Sequence, residues 1–262
     1  MERMVSNRLS PILQSLQALS PFQFAYQKHT STTDPLLRFD HDIRQSFHRK
    51  QHTLAIFLDL QNAYDKTRRC DILYKLHTLG LEGNLPKYIA ALLTNRTFRV
   101  KFNNIFSRQF TLEEGVPQGG VLSGTLFALA INDITLQIPN TVQYSLYADD
   151  ILLYTSSKHF PTLERQLQIT VNKLSTWATQ HGLHFSSSKS SALLFTRSWS
   201  RGNTYQTPPS ITMNNNTIPV KQQHCFLGIT FDAHLTYKPH ITNLKATCHR
   251  FPDLMIHISA HS

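Results

Sequence analysis

The apolar residues of this chain change their spacing as it runs, and the changes mark out elements. Thr53–Leu58 (TLAIFL) is an unbroken apolar run of strand length, as expected of a central strand buried on both faces, and it ends on Asp59. Asp71–Leu79 switches to helical spacing, with Ile72, Leu73, Leu76 and Leu79 on one face and Gly80 as the stop. Pro86–Leu93 reads as a second helix. Phe98–Phe102 and Ile105–Leu112 flank Asn103-Asn104, a dipeptide that tolerates positive φ, which predicts a hairpin carrying Arg99, Lys101 and Arg108.

Leu122–Ile138 has helical spacing and stops before Pro139. Tyr144–Ala148 and Ile151–Thr155 are β-prone runs joined by Asp149-Asp150, which predicts a hairpin with both carboxylates at its tip. Pro161–His181 is a long amphipathic helix with proline near its start and Gly182 past its end. Strands follow near Ala192–Thr196, Ile211–Met213 and Cys225–Phe231; Ser198–Pro209 reads as an exposed excursion, and Asn243–Ser262 as an unfinished apolar helix. The order predicts an α+β fold, a split β-α-β sheet with helices on one face.

Composition narrows the partners. Lysine and arginine outnumber acids 26 to 16 in 262 residues, a formal charge of +10, which points to a polyanion: nucleic acid or an anionic membrane. No membrane role is expected, because the longest apolar runs, such as Leu126–Ile131, fall far short of the roughly 20 residues that span a bilayer, and Met1-Glu2-Arg3 opens no signal peptide. Cys70, Cys225 and Cys248 are odd in number, far apart and in no CxxC pair, so neither a disulfide framework nor a zinc finger is indicated. The expectation is a reducing intracellular location, nucleus or cytoplasm. The 14 histidines are scattered and form no close ligand pair.

The candidate chemistry lies in three carboxylates. If the strand ending on Asp59 neighbours the hairpin carrying Asp149 and Asp150, three like charges converge, and at least one pKa rises unless a cation sits among the oxygens. Nucleotidyl transfer needs such a cluster, with two Mg²⁺ ions about 3.5–4 Å apart that activate a primer 3′-hydroxyl and stabilise pyrophosphate. Taken alone, two aspartates in a turn are ordinary turn formers, and that reading stays open on spacing.

Phe57-Leu58-Asp59-Leu60-Gln61-Asn62-Ala63-Tyr64-Asp65 resembles the reverse transcriptase motif in which an aromatic residue follows the aspartate by five. Gly115-Val116-Pro117-Gln118-Gly119-Gly120-Val121-Leu122-Ser123 is similar to that family's GVPQGSVLSP loop, and Tyr147-Ala148-Asp149-Asp150 to its YxDD box. Gly182-Leu183 through Ser188-Lys189 resembles its lysine motif, Phe226-Leu227-Gly228-Ile229 its primer-grip strand, and Gln23–Leu37 the upstream fingers motif of jockey-like elements. The chain therefore resembles the reverse transcriptase domain of a non-LTR (LINE-type) retrotransposon from about residue 1 to 245.

The resemblance implies a right-hand polymerase palm with partial fingers over 1–233 and a truncated start of the thumb over 234–262. It implies RNA-directed DNA synthesis with RNA template, DNA primer and deoxynucleoside triphosphates as partners, and two Mg²⁺ ions, with Mn²⁺ as a possible substitute. Asp59, Asp149 and Asp150 are the expected catalytic residues and, with the carbonyl of Leu60, the metal ligands. Tyr64 is expected under the incoming sugar, Gln118 and Gly119 against the nascent base pair, and Lys189 near pyrophosphate, with Lys28 a further nucleotide-binding residue. Arg99 and Lys101 are candidate contacts to nucleic acid phosphates.

Gln27 and His29 replace basic residues of the fingers motif, and Gly120 and Gly124 replace the usual serine and proline, so a weaker triphosphate grip and a looser loop are expected. On this resemblance the chain is expected to be a piece of a longer protein, with no endonuclease region before it. Two other readings stay in view: a degenerate, inactive fragment that binds nucleic acid non-specifically, and another palm-type nucleotidyl transferase such as a cyclase.

Overall fold

A computed structural model of the chain describes residues 1–197 and 209–259. Its centre is a five-stranded sheet of β1 (His52–Asp59), β2 (Gln143–Tyr147), β3 (Asp150–Ser157), β4 (Ser191–Phe195) and β5 (Val220–Lys221), in the order β5-β4-β1-β3-β2. β1 is antiparallel to both neighbours, and its register with β3 runs from His52 opposite Ser157 to Asp59 opposite Asp150. Only the edge pair β4–β5 is parallel.

The longer helices are α1 (Glu2–Ser15), α2 (Thr33–His48), α3 (Arg69–Thr78), α4 (Asn84–Leu93), α5 (Ser123–Ile131), α6 (Phe160–Gln180) and α7 (Lys238–Ser259), and a single turn, Ala63–Lys66, follows β1. Side chains alternate across a strand, so the apolar run of β1 serves two cores. Leu54, Ile56 and Leu58, with Ile151 and Leu153 of β3, pack against α3, α5 and α6. Ala55 and Phe57 face the other way, with Leu152, Tyr154, Leu193 and Phe195, and are covered by Phe39, Ile43 and Phe47 of α2. The principal helical layer occupies one face as expected, and α2 adds cover to the second. Among the described residues no helix is long and apolar enough to cross a membrane.

Three boundaries differ from the pattern. Leu122–Ile138 is α-helical only over Ser123–Ile131 and then tightens to a 3₁₀ turn over Asn132–Gln137. There the Asn132 side chain accepts from Ser20 N at 2.7 Å and donates to Ala18 O at 3.2 Å, tying the turn to the segment after α1. Cys225–Phe231 is not one strand but a hairpin, Gln223–Phe226 paired with Ile229–Asp232, because Leu227 and Gly228 both adopt positive φ. The hairpin holding the paired aspartates turns at Ala148-Asp149 instead of Asp149-Asp150. Ser198–Pro209, read as an excursion, lies outside the described residues except for Pro209.

Candidate active site

Because β1 and β3 are locked by eight cross-strand pairs, Asp59 stands directly opposite Asp150. Asp150 is the first residue of β3, paired also with Tyr147 of β2, so it lies within the sheet and not at the tip. Asp149 occupies the turn beside Ala148, whose φ of 55° is the left-handed value that the first position of a primed hairpin turn requires. The expected convergence is therefore present, with Asp59 and Asp150 on adjoining strands and Asp149 next to them.

The electrostatics agree. Burial, followed by the charges of Asp149 and then Asp59, pushes the Asp150 carboxyl up to about 6 from an ordinary 3.8. The Oδ2 atom of Asp59 is buried and has no hydrogen bond, although Lys189 Nζ stands 3.5 Å away. Main-chain bonds deliver that lysine: Ser186 N donates to Asp59 O and Gln61 N to His184 O, both at 2.8 Å, and Lys189 N donates to Ser186 Oγ at 3.3 Å.

Beside the carboxylates lies a cavity of about 420 Å³ lined by Tyr26, Tyr64, Gln118, Gly119, Gly120, Ser123 and Gly124. Tyr64 is stacked on Phe127 with centroids 4.7 Å apart, and its hydroxyl is hydrogen-bonded to that of Tyr26. Burial, the Tyr26 bond and the nearby Asp149 all raise the Tyr64 pKa, so the phenol stays protonated. The loop with Gln118 is fastened to the same segment: Val116 N donates to Tyr64 O and Gly115 N to Thr67 O, both at 2.9 Å, and Gln118 Nε2 donates to Asp65 Oδ1 at 3.1 Å. A Cβ on Gly115 would lie 2.9 Å from the carbonyls of Tyr64 and Asp65, at a φ of 84°, so only glycine allows this approach.

On the other side of Asp59 a cavity of about 140 Å³ is lined by Asp59, Asp150, Lys189, His224, Cys225 and Phe226 among others. The His224 ring stacks on Phe57 at 3.9 Å, and its Nδ1 lies 2.8 Å from Ser191 Oγ. Burial, with a smaller push from Lys221, lowers its pKa to about 4, so it is neutral at physiological pH.

Asp59, Asp149, Asp150 and Lys189 thus come together, with Leu60 buried next to Asp59, and Tyr64, Gln118 and Gly119 share the adjoining cavity. Lys28 does not line that cavity but a neighbouring one of about 570 Å³. Lys101 stands apart on an exposed strand, Lys101–Phe102, and Arg99 lies in the link between it and the strand Arg96–Phe98; these strands pair with Ile105–Phe106 and Phe110–Leu112 and not with the central sheet. Tyr26, Asp65 and His224 carry roles that sequence reasoning missed; Tyr26 lay inside the fingers motif, but nothing in its spacing marked it as a neighbour of Tyr64.

Among the described residues no three His, Cys, Asp or Glu side chains form a ready-made metal cage. What the site does contain is a buried Asp59 oxygen without a hydrogen-bond donor and an Asp150 carboxylate destabilised by burial and by two neighbouring carboxylates. A hard divalent cation corrects both deficits, and Mg²⁺ draws the rest of its shell from water and substrate phosphate. The residues fit such an ion.

Residues 1–231 match the family described as reverse transcriptase (RNA-dependent DNA polymerase). The RNA-directed DNA polymerase from mobile element jockey of Drosophila melanogaster is 29% identical over 94% of this chain and 27% of its own length. The probable RNA-directed DNA polymerase from transposon BS of the same fly is 30% identical over 95% of this chain and 27% of its own. The chain thus spans about a quarter of the length of these relatives. Apo telomerase from Candida tropicalis shares the fold at a TM-score of 0.62 and 13% identity, over 91% of this chain and 40% of that one. Telomerase of the same yeast in complex with a fragment of telomeric RNA has a TM-score of 0.57 at 15% identity, over 88% and 37%.

Proposed function

Because the chain belongs to the reverse transcriptase (RNA-dependent DNA polymerase) family, we propose that it extends a DNA primer along an RNA template, using deoxynucleoside triphosphates, at the centre made by Asp59, Asp149 and Asp150. The observation that carries this reading is the register that sets Asp59 opposite Asp150 with Asp149 in the adjoining turn. The relatives' names and the RNA-bound telomerase neighbour support an RNA template.

Asp59 and Asp149, with the carbonyl of Leu60, would hold two Mg²⁺ ions, for which Mn²⁺ could substitute, and Asp150 would support them. When bound, the ions activate the 3′-hydroxyl and neutralise the leaving pyrophosphate. Tyr64, held flat on Phe127, presents a rigid ring to the sugar and excludes a 2′-hydroxyl. Gln118 and Gly119 bring main chain against the new base pair, and Lys189, 70% exposed at its side chain, is free to swing from Asp59 toward the triphosphate. Lys28, Arg99 and Lys101 supply phosphate contacts. Residues 1–233 form fingers and palm and 234–262 the start of a thumb. The three free cysteines fit a reducing compartment, nucleus or cytoplasm.

Primer extension on an RNA template with Mg²⁺ tests this. Product is expected from the wild type and none from Asp149→Asn. A folded wild type that binds RNA in a salt-dependent way yet makes no product turns the reading into that of an inactive nucleic-acid binder, and a cyclic product from ATP or GTP alone turns it into a cyclase.

A further inference from the structure

We propose that Tyr26 is a positioning residue for sugar selection, bracing Tyr64 through its hydroxyl and forming the wall behind the nucleotide cavity. This rests on the reading above that Tyr64 faces the incoming sugar.

Two independent contacts hold the Tyr64 ring. The stack on Phe127, with an interplanar angle of 20°, fixes its tilt but leaves it free to slide and turn in its own plane. The bond between the Tyr64 and Tyr26 hydroxyls removes that remaining freedom. A ring that rejects one oxygen atom on a sugar acts through fractions of an ångström, so the second contact bears on selectivity and not only on stability.

The space for Tyr26 is made by Gly124. A Cβ at position 124 would lie 2.2 Å from Tyr26 Cε1 and 2.3 Å from Cδ1, so any side chain there displaces the ring. Gly124 lies in the first turn of α5 with no positive φ to accommodate, where helix propensity favours almost any other residue. Close approach of the tyrosine accounts for the glycine, and the loop that this residue was expected to loosen is filled by the ring instead.

The ring arrives from a loop with little freedom. Phe24 N donates to Leu146 O and Leu146 N to Phe22 O, both at 2.8 Å, which pins the segment to β2 two residues before Ala148. Ala25 N donates to Gln23 Oε1 at 3.1 Å and Thr30 Oγ1 to Phe24 O at 2.7 Å. Between these anchors Tyr26 adopts a φ of 59°, a conformation rare for a bulky residue unless its surroundings enforce it. Tyr26 lines both the cavity of about 420 Å³ and the neighbouring one of about 570 Å³, so its ring stands at their boundary. If the ring leaves, the two spaces join and Tyr64 gains room to retreat from a 2′-hydroxyl.

The test is steady-state incorporation of deoxy- and ribonucleotides opposite the same RNA template by wild type, Tyr26→Phe, Gly124→Ala and Tyr64→Ala. Tyr26 is 46% exposed, so Tyr26→Phe removes one hydroxyl without opening the core. Loss of one hydrogen bond is expected to lower the deoxy-to-ribo ratio of kcat/KM roughly three- to tenfold in Tyr26→Phe, mainly through a lower KM for ribonucleotides. Gly124→Ala, whose methyl must move the ring, is expected to shift the ratio in the same direction. An unchanged ratio in either variant, while Tyr64→Ala collapses it, overturns the inference and leaves the polymerase reading standing. A fall in deoxynucleotide kcat at constant ratio marks a merely structural tyrosine and also overturns it. A wild type that extends no primer removes both at once.

Discussion

His224 should make this protein lose stability on mild acidification, and the loss can be isolated. The ring is half-buried between Phe57 and Ser191, and its pKa is lowered from 6.5 to about 4. In the unfolded chain the imidazole binds a proton near pH 6.5, whereas the native site refuses it until about pH 4. Native stability is therefore complete above pH 6.5 and declines as the pH falls toward 4. A depression of about 2.5 units is about 3.4 kcal/mol when fully expressed, and about 2 kcal/mol of it is already lost at pH 5. Solvent reaches part of the ring, so screening reduces the expected loss at pH 5 to about 1 kcal/mol.

Urea denaturation of wild type and His224→Phe at pH 7.5 and pH 5 measures this. Phenylalanine keeps the stack on Phe57 but leaves the Ser191 hydroxyl without its partner, a constant penalty of about 1 kcal/mol at either pH. Contributions of the other histidines are common to both proteins and cancel. So does Asp150, whose raised pKa acts in the opposite sense: it favours the native state below its ordinary value and loses that contribution as the pH rises through about 6. The gap between the two proteins should therefore shrink by about 1 kcal/mol on going to pH 5. A gap that stays constant within about 0.3 kcal/mol refutes the assignment of a buried, neutral imidazole.

Phe39→Ala should cost about 3–5 kcal/mol in denaturation experiments, because the fully buried ring packs against Phe57, Tyr154, Phe195 and Phe231; a cost below about 1 kcal/mol would contradict the second core. Arg99→Ala with Lys101→Ala should reduce the slope of log affinity against log salt for single-stranded RNA by about 1.4, and an unchanged slope would show that the hairpin makes no phosphate contact. Ala148→Val places a β-branched residue at a φ of 55°, at a cost of about 1–2 kcal/mol, and should slow primer extension at least tenfold by displacing Asp149; full-rate extension by this variant would mean the turn does not position the carboxylate.

The sequence exposed those parts of the fold whose signal is local. The apolar run of β1, the amphipathic α6 and the turn at Asn103-Asn104 each carry their evidence within a few residues, and each is found where expected. The misplaced boundaries arise where backbone conformation overrides residue preference. Leu227 and Ala148 take positive φ with no local sign of it, which splits one expected strand into a hairpin and moves the paired-aspartate turn by one position. Tyr26 and His224 escaped notice for another reason. Their importance lies in partners 33 residues away and more, Tyr64 in one case and Phe57 and Ser191 in the other, and spacing along the chain carries no record of such contacts.

The one-residue shift in the hairpin also explains what holds three carboxylates together against their mutual repulsion. With Asp150 inside β3, its position is set by the same eight cross-strand pairs that place Leu54, Ile56 and Leu58 on one core and Ala55 and Phe57 on the other. Sliding β3 by one residue to part Asp59 from Asp150 would turn Ile151 and Leu153 out of one core and Leu152 and Tyr154 out of the other. The four side chains would exchange cores and meet neighbours of the wrong shape, and misfits of this kind cost about 1–3 kcal/mol each, which together outweighs repulsion among half-solvated carboxylates. The register is thus decided by apolar residues that never touch substrate. It follows that moderate loss of core packing should lower the melting temperature well before it disperses the acidic cluster, whereas substitutions at Ala148 or Tyr26 should disturb the site while the sheet remains intact.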